Sequence, residues 1–388
     1  MSEKLLPIIK SRMLAFIRLE SFSGIILFFC ALLAFLWANT PYYFIYKKIV
    51  SQEFLLVVND GLMALFFCLV ALEIKREFKK GSLSSLKEAM LPLWGALGGV
   101  VFPALIYVAF NYSNSEALRG WAIPTATDIA FALAVLSLFG SKIPNSLRIF
   151  LLTLAIFDDL AAILIIAIFY NTGIQLNYLL GALIPLTVLC LMNYFNIKSI
   201  IGYFFLGLIL WFCVLKSGVH ATIAGVMLGF LVPLSTEKFE ENSQNSPAYK
   251  MEKKLHPWVA YVILPLFSFS NSGVNLEGKF LYYVLHDFSQ SIMWALFLGK
   301  QTGIFVFAGL AIRLGCSKLP QDSTWSQLYG VSILGGIGFT MSLFIGFLAY
   351  NHSSPELFNI AKIGVISGSL ISALLGAVVL KLSLKNKH

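Results

Sequence analysis

From Phe22 to Leu382 the chain is a succession of apolar stretches separated mostly by short polar connections, each stretch close to the roughly 20 residues that a membrane-spanning helix requires. Backbone groups in hydrocarbon must bond internally, so a chain of this kind folds as a bundle of helices. Composition agrees: 58% of residues are hydrophobic and 12% charged, against about 45–50% and 25% in soluble domains. There is room for about twelve spans and for no large soluble domain. The expected fold is an all-α polytopic membrane protein, a single integral unit over residues 1–388. Its spans are expected to start near Phe22, Phe54, Met90, Gly120, Leu147, Tyr178, Ser199, Gly218, Pro257, Ser289, Trp325 and Leu357.

The net charge of +9 reads as topology and not as an affinity for nucleic acid. With a cytoplasmic N-terminus, Lys4, Lys10, Arg12, Arg18, the run Lys75 to Lys87, Lys142, Arg148, Lys198, Lys250 to Lys254, Arg313, Lys318 and the basic C-terminus share one side. Only Lys47, Lys48, Arg119, Lys216 and Lys279 fall on the other. This bias places both termini in the cytoplasm. Cys30, Cys68, Cys190, Cys213 and Cys316 have no metal-like spacing and read as small core residues. The longest polar connection, Thr236 to His256, mixes Glu237, Glu240, Glu241 and Glu252 with lysines and reads as a solvated linker between two halves.

Two segments depart from an ordinary membrane helix. Pro124-Thr125-Ala126-Thr127-Asp128 and Gly335-Gly336-Ile337-Gly338 fall mid-span, where proline and clustered glycine interrupt helical bonding. Broken backbone survives in a bilayer only when buried in protein or lining a wet cavity; a kink in a packed helix is the alternative. On the expected topology the fourth span runs outside to inside and the eleventh inside to outside. A three-helix unit from Met90 to Tyr170, repeated upside down from Ser289 to Leu382, accounts for the pair. The reading is thus of inverted-topology repeats, at about 90–170 and 289–382, with discontinuous helices 4 and 11 crossing.

Asp60, Asp128, Asp158, Asp159 and Lys300 lie inside apolar stretches. Facing lipid, five such charges cost on the order of 12–18 kcal/mol, so they face protein or water. Side chains of Asp158 and Asp159 diverge by about 100° on a helix, so the two cannot share one partner equally. One of them pairs with Lys300 while the other faces Asp128 and Thr127, whose oxygens suit a small hard cation. Burial disfavours a charged carboxylate, so protons and sodium compete for the same oxygens. For Asp128 and Asp60 the alternative is that they only neutralise helix termini or pin helices together. A second group, Glu73, Arg76 and Glu77, shares one helical face and reads as an interfacial ladder or as a gate. Glu252 and His220 are titratable residues of the same two readings.

At these residues the sequence resembles the NhaA-type bacterial sodium/proton antiporters, which are themselves among the inverted-repeat transporters. The likeness runs through Asn59-Asp60-Gly61, Leu72-Glu73-Ile74-Lys75-Arg76-Glu77, Pro124 to Phe131, Phe157-Asp158-Asp159, Gly218-Val219-His220, Leu255-His256-Pro257-Trp258, Gly299-Lys300 and Gly335 to Thr340. The resemblance implies twelve helices and electrogenic exchange of two protons per sodium or lithium. It also implies activation at alkaline pH and a homodimer amid the lipid of the bacterial inner membrane, with no cofactor. It makes Asp158 and Asp159 the cation and proton carriers, Lys300 the partner of Asp158, and Asp128 with Thr127 supporting residues at the crossing. Glu73, Arg76, Glu77, His220 and Glu252 become pH-response residues, with Asp60, Gly336 and Gly338 in support. Around Glu252 the sequence departs from the family pattern, with Tyr249 and Lys253 where His and Arg are commoner. The class expected is a secondary active transporter and not an enzyme. A cation channel, an intramembrane aspartyl protease and a solute symporter are the alternatives, and the protease lacks its Gly-x-Gly-Asp.

Overall fold

The protein is represented by a computed structural model that describes residues 22–234 and 246–385, apart from residues 82, 84, 172 and 352. The basic residues Lys4 to Arg18 and the linker acids Glu237, Glu240 and Glu241 lie outside the described residues. Among those described, every regular element is a helix. The principal ones are α1 (Phe22–Ala38), α2 (Met63–Lys80), α3 (Leu86–Asn111), α4 (Ile129–Ser137), α5 (Asn145–Phe169), α6 (Leu176–Tyr194) and α7 (Ile200–Lys216). They continue with α8 (Thr222–Leu231), α9 (Pro247–Trp258), α10 (Asp287–Arg313), α11 (Trp325–Leu334), α12 (Phe339–Tyr350) and α13 (Pro355–Lys385).

Among the described residues, seven helices are long and apolar enough to cross a membrane, or eight if Ser115–Thr125 and α4, bent by 44°, form one span. Shorter apolar helices, α1, α7 and α8, accompany them. The fold is thus that of a multi-pass membrane protein. In the polar connection Thr236 to His256, the described residues from Ser246 onward differ from their reading as a linker. Ser246 caps the N-terminus of α9 by accepting from Tyr249 N, and Pro247 occupies the first turn, where a missing N–H costs nothing. Residues 247–256 are therefore helical, and α9 buries Met251, Glu252 and His256. Nor does this connection separate halves of the protein.

The chain forms two compact units: Met1–Tyr43, Lys87–Asp158 and Asn271–His388, and Phe44–Leu86 and Asp159–Ser270. The connection lies within the second unit.

In the first unit the helical ladder is interrupted twice. After the turn Ile123–Thr125 the backbone is extended at Ala126 and Asp128 until α4 begins. Between α11 and α12, residues 335–338 are likewise non-helical. The two interruptions satisfy one another's polar groups, as buried backbone must. Asp128 N donates to Ile337 O at 2.6 Å, and Ser342 Oγ donates to Ile123 O at 2.6 Å. Phe339 N donates to Ser369 Oγ of α13 at 3.1 Å.

In the second unit α2 and α8 pack backbone to backbone. A Cβ added at Gly225 would strike Ala64 O, and one at Gly229 would lie 2.6 Å from Cys68 O, so only glycine permits this approach. Gly225 and Gly229 are four apart, the small-residue spacing of close membrane helix pairs.

Candidate functional site

The extended stretch before α4 projects Thr127 towards α5 and the second interruption. Thr127 Oγ1 donates to Asp158 Oδ2 at 2.6 Å, with Gly335 O as a further acceptor at 2.9 Å. From α10, Lys300 Nζ reaches the same Asp158 oxygen at 2.5 Å, and neither side chain has any solvent exposure. Asp158 Oδ1 is buried without a hydrogen-bond partner. Burying this pair is tolerable only because the charges compensate each other at contact distance.

Asp128 stands elsewhere in the same assembly. Its Oδ1 accepts from Phe131 N at 3.0 Å, and its Oδ2 accepts from Thr340 N at 3.0 Å and Thr340 Oγ1 at 2.6 Å. One carboxylate thus caps α4 and meets the first turn of α12, placing negative charge at two helix N-termini. Gly336 and Gly338 make the second interruption possible. A Cβ on Gly336 would sit 2.6 Å from Ser372 Oγ and 2.8 Å from Leu296 O, and one on Gly338 would strike Ser342 Oγ.

Asp159 follows Asp158 on α5 and is also buried, as the first residue of the second unit. Asp60 lies in a widened turn, Val57–Leu62, that leads into α2. Its side chain is half-buried, and its carbonyl accepts from Trp211 Nε1 at 2.9 Å.

The titratable ladder extends further than its spacing implied. Arg76 Nη1 donates to Glu252 Oε1 at 2.5 Å and Arg76 Nη2 to Glu77 Oε1 at 3.2 Å. Glu73 adds negative charge near Arg76, so Arg76 joins α2 to α9. Burial raises the Glu252 carboxyl above the ordinary glutamate value, with the Arg76 and His256 charges opposing that rise. His220 precedes α8 and is half-buried.

Some residues of the assembly escaped the sequence reading. Ser342 and Ser369 bond to backbone groups at the interruptions and Thr340 to the Asp128 carboxylate, and the signal for Thr340 and Ser342 was a hydroxyl at either side of Met341, just after the glycines. Lys362 is buried on α13 with Nζ 4.4 Å from the Phe358 ring centroid. Nothing adjacent in the sequence marks it. Among the described residues, no three His, Cys, Asp or Glu side chains are grouped to hold a metal ion. A cation here would draw on hydroxyl and carbonyl oxygens beside the carboxylates.

A multi-pass helical bundle with interlocked helix interruptions and a buried carboxylate–lysine pair between them has the architecture of a secondary transporter. Residues 14–380 match the family described as Na+/H+ antiporter 1, and the chain belongs to it. Similar proteins include the Na(+)/H(+) antiporter NhaA of Rhodospirillum rubrum, 47% identical over 96% of this chain and 97% of that one. The NhaA 2 antiporter of Pseudomonas savastanoi pv. phaseolicola is 49% identical over 94% of each chain. NhaA of Yersinia enterocolitica is 44% identical over 96% and 97%.

Proposed function

We propose that the chain is an electrogenic antiporter that exports sodium or lithium in exchange for two protons, regulated by pH, for sodium and pH homeostasis. The observation that carries this reading is the convergence of Lys300 Nζ and Thr127 Oγ1 on one oxygen of Asp158, beside two helix interruptions. Asp158 and Asp159 are the carriers. Sodium and protons compete for their oxygens because burial disfavours an uncompensated carboxylate. A site that holds either ion, never both, couples the two flows. In the proton-loaded state Lys300 holds one proton as its ammonium and neutralises the ionised Asp158, while Asp159 holds the other; when sodium arrives both protons leave, and the neutral lysine yields its place on the carboxylate to the cation. Thr127 supplies a hydroxyl oxygen, and Asp128 holds the two interruptions in register.

The proposed frame has twelve crossings, the interrupted helices being the fourth and eleventh. The repeats at about 90–170 and 289–382 are related by inversion within one transporter of residues 1–388. Supporting the count, the long helices, the three shorter apolar ones and the segment from α9 to Ser272 together match the twelve expected starts. The protein works as a homodimer in the bacterial inner membrane with both termini in the cytoplasm, and it needs no cofactor. Glu73, Arg76, Glu77, His220 and Glu252 set the pH response. Asp60, Gly336 and Gly338 support the helices.

The test is proton flux in inverted vesicles across pH, with Na+, Li+ and K+ added in turn. Sodium and lithium release protons, potassium does not, and Asp158→Asn or Asp159→Asn abolishes the release while the folded protein persists. Sodium passing down its gradient without proton movement identifies a channel and removes this reading.

A further inference from the structure

The C-terminal end of α8 is closed by three other helices. A helix leaves its last four carbonyls without intrahelical donors, and α8 ends at Leu231, where Val232 turns into extended backbone. Phe230 O accepts from Lys75 Nζ at 2.7 Å, and Val232 O accepts from the same nitrogen at 2.6 Å. Leu231 O, between them, accepts from Asn193 Nδ2 of α6 at 2.5 Å. Pro233 O accepts from Ala248 N of α9 at 3.2 Å. Four successive carbonyls are thus taken up from α2, α6 and α9, and the only charged donor, Lys75, faces the negative end of a helix dipole.

Lys75 is also the residue before Arg76. Side chains of neighbouring residues diverge on a helix, and here the two reach opposite ends of one connection. Lys75 holds the chain where it leaves α8, and Arg76 holds Glu252 on α9, where the chain returns. Glycine contacts fix α8 against α2 along their length, so the Lys75 contact sets where α8 stops relative to the turn of α2 that carries Arg76.

We propose that Lys75 is a positioning residue for the pH response: by tying the end of α8 to α2, it fixes the contact of Pro233 O with Ala248 N at the start of α9, and with it the place of Glu252 against Arg76. The inference rests on the antiport reading for its functional consequence, though not for the tie itself. The charged neighbour of Lys75 is Lys79 on α2; around Glu252 stand Arg76 and Glu77 on α2 and His256 on α9, with Glu73 beside Arg76, and the sequences of α8 and α6 hold no charged residue.

The experiment uses the full chain reconstituted in liposomes, with Lys75→Met, Lys75→Arg and Asn193→Leu. Two readouts are taken: amide hydrogen exchange across residues 228–234 and 247–254, and sodium-driven proton flux against pH. A hydrogen bond to a charged donor lost from this cap speeds local exchange roughly tenfold. Lys75→Met is expected to show that rise, together with a shift of roughly half a unit or more in the flux midpoint. Lys75→Arg, which keeps charge and donors, restores both. Wild-type exchange rates and an unmoved midpoint in Lys75→Met overturn the proposal. If Lys75→Met fails to accumulate, Asn193→Leu removes a donor from the same cap, and its unchanged exchange and profile overturn it equally. Should the wild-type protein move no protons on sodium addition, the antiport reading fails by itself, and the exchange measurement still decides whether Lys75 secures α8.

Discussion

Lys300 Nζ lies 2.5 Å from Asp158 Oδ2 with both side chains sealed from solvent, so the two charges are buried as a pair. Removing one member of such a pair costs about 3–5 kcal/mol, because the other is left uncompensated, whereas removing both together is often close to neutral. Lys300→Met is therefore expected to lower the melting temperature and to cut sodium-driven proton flux at least about tenfold. Lys300→Met with Asp158→Asn recovers most of the stability and none of the flux. Melting in detergent beside vesicle flux reads both quantities, and a single variant as stable as the wild type contradicts the pairing argument.

Thr127 separates ion binding from scaffolding. Its hydroxyl donates to the same Asp158 oxygen and lies within reach of Gly335 O. Valine keeps the shape and loses that hydrogen bond, a net effect of about 1–1.5 kcal/mol. Thr127→Val should raise the apparent sodium KM by roughly tenfold, with a smaller change in maximal rate. Thr127→Ser should stay near wild type. Equal KM values in Val and Ser variants would assign the hydroxyl to structure alone.

Much of this was legible in the sequence, and the reasons differ by residue. Charged side chains in apolar stretches announce themselves because hydrocarbon penalises them, so Asp128, Asp158, Asp159 and Lys300 stood out without any coordinates. The two interruptions were marked by Pro124 and by Gly335, Gly336 and Gly338, residues that helices disfavour. What stayed hidden was pairing. Spacing left open which neighbouring aspartate meets Lys300, because helical divergence says only that they differ. The role of Asp128 as a cap shared by α4 and α12 depends on Thr340, 212 residues away in sequence. The tie between Arg76 and Glu252 crosses 176 residues, and no local pattern encodes such a distance. The α9 helix was masked by its lysines, which read as solvated linker until Ser246 and Pro247 are seen to start a helix.

Asp128→Asn distinguishes a cap from a carrier. The wild-type carboxylate accepts from Phe131 N through one oxygen and from the Thr340 backbone and hydroxyl through the other. Asparagine keeps one accepting oxygen and turns an amide nitrogen towards the remaining N–H, leaving that donor unsatisfied at about 1–3 kcal/mol. Stability should fall while sodium-driven proton flux persists at a reduced rate. Asp158→Asn differs in abolishing exchange altogether, although the Lys300 charge it leaves uncompensated lowers its stability as well. Complete loss of flux in a well-folded Asp128→Asn protein would promote Asp128 to a carrier.

Glu252 gives the pH dependence a direction. Burial raises its carboxyl above the ordinary glutamate value of about 4.3, more than the Arg76 and His256 charges lower it. A group whose proton is held more tightly in the folded state contributes stability that is present below the unfolded value and is lost as pH rises through the folded one. Over that same interval Glu252 gains the charge that strengthens its contact with Arg76, 2.5 Å away. Glutamine mimics the protonated form at every pH. Glu252→Gln should therefore remove the part of the melting-temperature decline that the wild type shows above the ordinary glutamate range. It should also keep the α2–α9 contact in its low-pH form, so that the flux profile moves to more alkaline pH or flattens. Melting curves and vesicle flux taken over the same pH series test both halves, and superimposable wild-type and variant series would detach Glu252 from the pH response.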